Sequence, residues 1–153
     1  MANYDIRPLQ LRILKNLLAV DKVCKEHNLR YYIMAGTMLG AVRHKGFIPW
    51  DDDIDVALPR KDYEIFCRKA PQILPEWCFL QNYHSEPQYY LLGSKLRDSR
   101  TTYIEMMADR LKINHGVFID IFPLDGQWRT EREHQMFRKK RAIFEAARRV
   151  RLN

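Results

Sequence analysis

An α/β domain is what this sequence predicts, on three observations. Apolar residues recur at helical spacing through Leu11, Leu14, Leu17, Leu18, Val20 and Cys24. Short β-branched and aromatic runs, closed by Gly or Pro, then alternate with further helical stretches, the pattern of a sheet flanked by helices. A hydrophobic content of 46% and an aromatic content of 12% over 153 residues supply one core, burying roughly two-thirds of the unfolded surface.

Each element follows from its own residues. Pro8 suits the first turn of an amphipathic helix that ends by Asn28. Arg30 to Ala35 is aromatic and β-branched and predicts a strand running into a Gly36-Thr37 turn. Met38 to Arg43 predicts a short helix, broken by Gly46 and Pro49. The acidic run and Val56-Ala57-Leu58 then form a strand, which Pro59 closes. Arg60 to Ala70 is expected to be helical, ending at Pro71 and Pro75. Trp77–Tyr83, Tyr89–Arg97 and Thr101–Met106 predict strands, and Val117–Phe122 a further one stopped by Pro123. From Thr130 a helix, with Phe137, Ile143, Phe144 and Ala147 as its apolar positions, is expected to run to the end of the chain.

Composition excludes several classes. No run approaches the roughly 18 apolar residues of a membrane span, and the N-terminus lacks the features of a signal peptide, so a cytoplasmic location is expected. Cys24, Cys67 and Cys78 are odd in number and form no C-x-x-C, which argues against a disulfide framework or zinc knuckle. The net charge of +7 is concentrated in residues 129–153, which hold nine Lys/Arg against three Asp/Glu. That basic helix is either a solvated face or a peripheral contact with an anionic membrane. Few aromatics interleave its charges, so nucleic acid is not an expected partner.

Four aspartates in five residues, Asp51, Asp52, Asp53 and Asp55, precede the apolar run. On a strand Asp53 and Asp55 share a face, where two carboxylates repel unless a cation lies between them. A hard divalent cation such as Mg²⁺, or alternatively Mn²⁺, fits such oxygen ligands. Asp120 is embedded in an apolar strand, and a buried carboxylate needs either hydrogen bonds or a metal. Three carboxylates and a Gly36-Thr37 turn whose N–H groups can approach a phosphate form a set suited to phosphoryl transfer. Arg43, Lys45, Lys95 and Arg97 are the candidate cations for the remaining phosphate charge, with His44 as a further contact. Phe47 and Trp50 are candidates for stacking on a nucleobase or for the core. Asp52 faces the other way on an ideal strand and is not expected to be a ligand. An EF-hand reading of the acidic run fails because Val56 stands where Gly is required.

These residues carry a resemblance. The stretch Tyr32–Val56, centred on Arg43-His44-Lys45-Gly46-Phe47-Ile48-Pro49-Trp50-Asp51-Asp52-Asp53-Ile54-Asp55, with Arg60-x-Asp62-Tyr63, resembles the LicD family. That family is similar to fukutin and fukutin-related protein within the nucleotidyltransferase-fold superfamily. Lys95-Leu96-Arg97-Asp98 and His115-Gly116-Val117-Phe118-Ile119-Asp120-Ile121-Phe122-Pro123 match its later blocks. The resemblance implies a nucleotidyltransferase-like core, a mixed sheet flanked by helices, in a single domain over 1–153. It also implies transfer of a phosphocholine-like group from a CDP-activated donor such as CDP-choline to a hydroxyl of a cell-surface glycan, releasing CMP. Asp53 and Asp55 are then the metal pair, Asp120 a third ligand or the base, and Asp51 either a further ligand or a support behind the ligands. Family members are usually longer, so the chain is expected to be incomplete at its C-terminus. The competing readings are a D-x-D glycosyltransferase and a non-catalytic fragment that binds nucleotide or metal.

Overall fold

The computed structural model describes residues 5–126 and 129–151. Four helices, α1 (Arg7–Glu26), α2 (Ala35–His44), α3 (Arg60–Ile73) and α4 (Glu131–Arg151), accompany five strands. The strands are β1 (Tyr32–Ile33), β2 (Asp55–Pro59), β3 (Cys78–Gln81), β4 (Ser94–Asp98) and β5 (Val117–Leu124). They form one mixed sheet in the order β1-β2-β5-β4-β3. Only β2 and β5 run parallel among the pairs described.

Alternation along the strands makes the two faces different. Val117, Ile119 and Ile121 of β5 are buried, whereas Phe118, Asp120 and Phe122 between them are partly open. The buried set joins Val56, Leu58 and Leu96 in a core with Ile13, Val20 and Val23 of α1 and Phe66 and Ala70 of α3. Helices α1 and α3 therefore cover one face of the sheet, where Ser94 bonds Tyr63 of α3 and Asp98 bonds Arg12 of α1, and Asp55, Asp120, Lys95 and Arg97 turn to the other. Asn16 of α1 fastens this packing, its buried amide donating to the carbonyls of Leu96 and Val117.

Several boundaries differ from the sequence expectation, each for a local reason. The first strand is only Tyr32–Ile33, because Ala35 adopts a left-handed φ of 48° and turns the chain into α2. Gly36 and Thr37 consequently sit in the first turn of α2 rather than in a separate turn. Strand β2 begins at Asp55, so Asp53 lies in the irregular lead-in instead of on the strand. Helix α3 passes through Pro71 and stops at Ile73. A proline in the last turn removes a single N–H, and extended Leu74, held in that region by Pro75, ends the helix. Tyr89–Gly93 is loop, leaving β4 to start at Ser94, and β5 continues through Pro123 to Leu124. The expected strand Thr101–Met106 is absent because Thr101 folds back, its N–H and hydroxyl both donating to the Asp98 carbonyl. Both edges of β4 are already taken by β3 and β5.

Helix α4 starts with a capping box, in which Glu133 N–H donates to Thr130 Oγ1 and the Glu133 carboxylate accepts from Thr130 N–H. The expected helix end at 152–153 and the side chain of Ala147 lie outside the description. All three cysteines are free, and burial pushes the Cys24 and Cys78 thiols up to about 12. No described helix is long and apolar enough to cross a membrane.

Candidate active site on the open face of the sheet

The site begins as a row across the sheet. Asp55 of β2 is the register partner of Asp120 on β5, Asp120 that of Lys95 on β4, and Lys95 that of Gln81 on β3. Residues directly opposed on neighbouring strands point to one face, so two acids and a lysine lie side by side on the open face. Lys95 is only 4% exposed, and its ammonium straddles Asp120, at 3.0 Å from Oδ1 and 3.2 Å from Oδ2. It also meets Glu105 Oε1 at 3.2 Å and stands 3.4 Å from the centre of the Phe118 ring.

The acidic lead-in is delivered by a doubled-back chain. Helix α2 ends at Lys45, whose left-handed φ of 59° reverses the direction. Gly40 permits the return, since a Cβ there would stand 2.6 Å from the Gly46 carbonyl oxygen. Buried Gln10 of α1 then donates to the carbonyls of Ile48 and Asp51 at 3.2 and 3.0 Å, clamping the loop to the helix. Thr37 fixes the start of β2, its Oγ1 accepting the Asp55 N–H at 2.9 Å. Replacing Thr37 by Val keeps the shape and orphans that donor. The expected loss is about 1–3 kcal/mol in urea unfolding, with Thr37→Ser close to the parent.

Negative charge accumulates here and is only partly compensated. Burial, then Asp55, Asp51, Asp52 and Asp120 in turn, push the Asp53 carboxyl up to about 6. Asp55 is raised by burial and by Asp120 and Asp51, with Lys95 offsetting part of it. Burial raises Asp120 as well, again partly offset by Lys95. Asp51 lies against α2, its Oδ2 3.1 Å from where a Gly36 Cβ would be. Asp52 accepts from Tyr103 Oη at 2.9 Å.

Hard oxygen donors carrying raised pKa values are chemically suited to a divalent cation. Asp53 and Asp55 therefore fit one, whereas Asp120 is engaged by Lys95 through both oxygens. Among the described residues no three His, Cys, Asp or Glu side chains are arranged to hold a metal as they stand.

The expected cations separate into two groups. Arg43, His44 and Lys45 are exposed at the C-terminal end of α2, with His44 edge-on to Trp50 at 6.5 Å. Trp50 is 73% exposed and so lies outside the core, whereas Phe47 packs against it. Arg97, expected at a phosphate, is instead structural. It is 1% exposed, and its guanidinium donates to Gln81 Oε1 at 2.6 Å, the Gly116 carbonyl at 2.8 Å and Glu105 Oε2 at 2.7 Å. Glu105 escaped sequence reasoning, although Lys95 and Arg97, two apart on one strand face, required a buried counter-charge. Gln10 carried no signal, because its partners are backbone carbonyls.

The family model described as LicD/FKTN/FKRP, nucleotidyltransferase domain, matches residues 28–150. This chain belongs to the LicD family. The lipopolysaccharide cholinephosphotransferase LicD of Haemophilus influenzae is 34% identical over 132 residues, covering 82% of this chain and 46% of that protein. Uncharacterized proteins of Rickettsia prowazekii and Rickettsia typhi are 48% identical over 52 residues and 47% over 47 residues. These cover 34% and 31% of this chain, and 18% and 15% of the respective relatives. This chain thus spans under half the length of each of these relatives. The α/β architecture with a mixed sheet is the one expected of a LicD nucleotidyltransferase domain.

Proposed function

We propose that this LicD-family chain carries the donor-side chemistry of a phosphotransferase. In this reading a phosphocholine-like group passes from a CDP-linked donor to a hydroxyl of a glycan such as lipopolysaccharide. The observation that carries the reading is the cross-sheet row Asp55–Asp120–Lys95, with Asp53 at its edge and its charge uncompensated. The likeness to a lipopolysaccharide cholinephosphotransferase supports the substrate class.

Asp53 and Asp55 would hold Mg²⁺ or Mn²⁺, with Asp51 and Asp120 as further ligands. When bound, the metal would neutralise phosphate oxygens on the donor. The acceptor oxygen bonds to the phosphorus of the transferred group, the bond from that phosphorus to the CMP oxygen breaks, and its electron pair leaves with CMP. The hydroxyl proton passes to a carboxylate, for which Asp120 is the candidate. Unpaired N–H groups in the first turn of α2, at Gly36 and Thr37, and the cations Arg43, His44 and Lys45 are the proposed phosphate contacts. Exposed Trp50 is a platform on which the cytosine could stack. The reading places the protein in the cytoplasm, with basic α4 as its contact to an anionic inner membrane face.

A panel of CDP-linked donors with Mg²⁺ and a glycan acceptor, scored by CMP release, tests this on the chain and on a full-length relative. CMP is expected from CDP-choline. Sugar release from UDP or GDP donors, with CDP donors inert, would overturn the assignment in favour of a glycosyltransferase.

Mg²⁺ affinity is expected to weaken as pH falls through about 6, where the Asp53 carboxyl takes its proton. The metal-free protein has the opposite trend. A carboxyl raised from 3.8 to about 6 keeps its proton longer in the fold than in the unfolded chain. Its contribution to stability is therefore lost as pH rises between those values. Titrations of metal affinity and urea midpoint against pH check both signs.

A further inference from the structure

Glu105 lies in the segment between β4 and β5, outside every motif of the acidic run, yet it links two cations. Its Oε2 takes Arg97 at 2.7 Å and its Oε1 takes Lys95 at 3.2 Å. Arg97 is anchored from behind by Gln81 and the Gly116 carbonyl. The charges thus alternate along one line, Arg97, Glu105, Lys95, Asp120. Burial alone would raise the Glu105 carboxyl, but Arg97 and Lys95 outweigh it and hold it below its usual range. The ammonium of Lys95 is shared between two carboxylates and backed by the Phe118 ring.

We propose that Glu105 is a positioning residue for the transfer reaction: by sharing the Lys95 ammonium with Asp120, it limits the grip of Lys95 on Asp120 and makes it easier for Asp120 to turn an oxygen toward the cation and substrate. The proposal rests on the reading of Asp53, Asp55 and Asp120 as the metal site. Without Glu105 the lysine has one carboxylate left, and the Lys95–Asp120 pair deepens at the expense of the metal. With Glu105 present, Lys95 can stay in place when Asp120 turns, because its charge remains balanced. The same arrangement leaves the near side of the Phe118 ring covered by this protein's own cation, so that ring is not open to a quaternary ammonium.

The test compares Mg²⁺ affinity by calorimetry and turnover with CDP-choline for the parent, Glu105→Gln, and Glu105→Gln combined with Lys95→Gln. Glu105→Gln is expected to weaken Mg²⁺ binding by roughly 10–100-fold and to lower kcat more than the KM for donor. The double variant is expected to recover Mg²⁺ affinity, since the competing ammonium is gone, while turnover stays low. Unchanged Mg²⁺ affinity in Glu105→Gln, alongside a lower unfolding midpoint, would reduce Glu105 to a structural partner of Arg97. A double variant binding Mg²⁺ as weakly as the single one would also overturn the proposal. Absence of Mg²⁺ binding by the parent would remove the metal site itself and the proposal with it.

Discussion

Asparagine at position 53 is expected to abolish metal-dependent CMP release while leaving the fold intact. The side chain keeps its size but loses the charge proposed to hold the metal. Electrostatic stabilisation of several kcal/mol at the transferring phosphate corresponds to roughly a thousandfold in rate or more. The unfolding midpoint should stay level or rise, since Asp53→Asn removes a charge whose burial, and then repulsion by its neighbours, lift the Asp53 carboxyl to about 6. Rate and stability therefore move apart, which separates a lost ligand from a damaged fold. Asp52→Asn is the control. Asp52 is held by Tyr103 and acts on Asp53 less than Asp55 and Asp51 do, so its loss is expected to be small. Undiminished turnover in Asp53→Asn would remove Asp53 from the metal site.

Arg97→Leu is expected to have the largest effect on stability. Removing one partner of a buried charge network costs about 3–5 kcal/mol, because the remaining groups are left uncompensated. Here the orphans are Gln81 Oε1, the Gly116 carbonyl and one Glu105 oxygen. The urea midpoint reads the loss directly. Arg43→Leu is expected to shift it by no more than about 0.5 kcal/mol, since Arg43 is exposed. If Arg97→Leu were equally mild, the guanidinium would not be holding β3, β4 and the Glu105 segment together.

Much of this architecture was legible because burial leaves a period. The spacing of Leu11, Leu14, Leu17, Leu18, Val20 and Cys24 marked α1, although the structure buries only Val20 and Cys24 of these, leaves Leu11 and Leu18 exposed and completes the core face with Ile13, Ala19 and Val23. The apolar run Val117–Phe122 around Asp120 marked a strand. The family motif placed Asp53, Asp55 and Asp120 together, and the register of β2 against β5 brings Asp55 and Asp120 side by side. What was not legible depends on single tertiary contacts. Ala35 takes a left-handed conformation that residue type would have assigned to Gly36. Thr37 serves the Asp55 backbone across a gap in sequence that no periodicity reports. Arg97 looks like a phosphate ligand in the chain and turns out to be a buried brace, because its surroundings come from β3 and from the segments around Glu105 and Gly116.

The parallel pairing of β2 with β5 also sets the order in which the site can come into being. A nascent chain presents Asp53 and Asp55 long before Asp120 is made, with the segments of α3, β3 and β4 synthesised in between. Two like charges offer no attraction to draw the strands together, so Val56 and Ile121, partners in the same ladder, have to supply it. Closing so long a stretch of chain is slow compared with pairing β3 to β4. The carboxylate pair is therefore among the last contacts to be completed, and the protein acquires its proposed chemistry only once its sheet is whole.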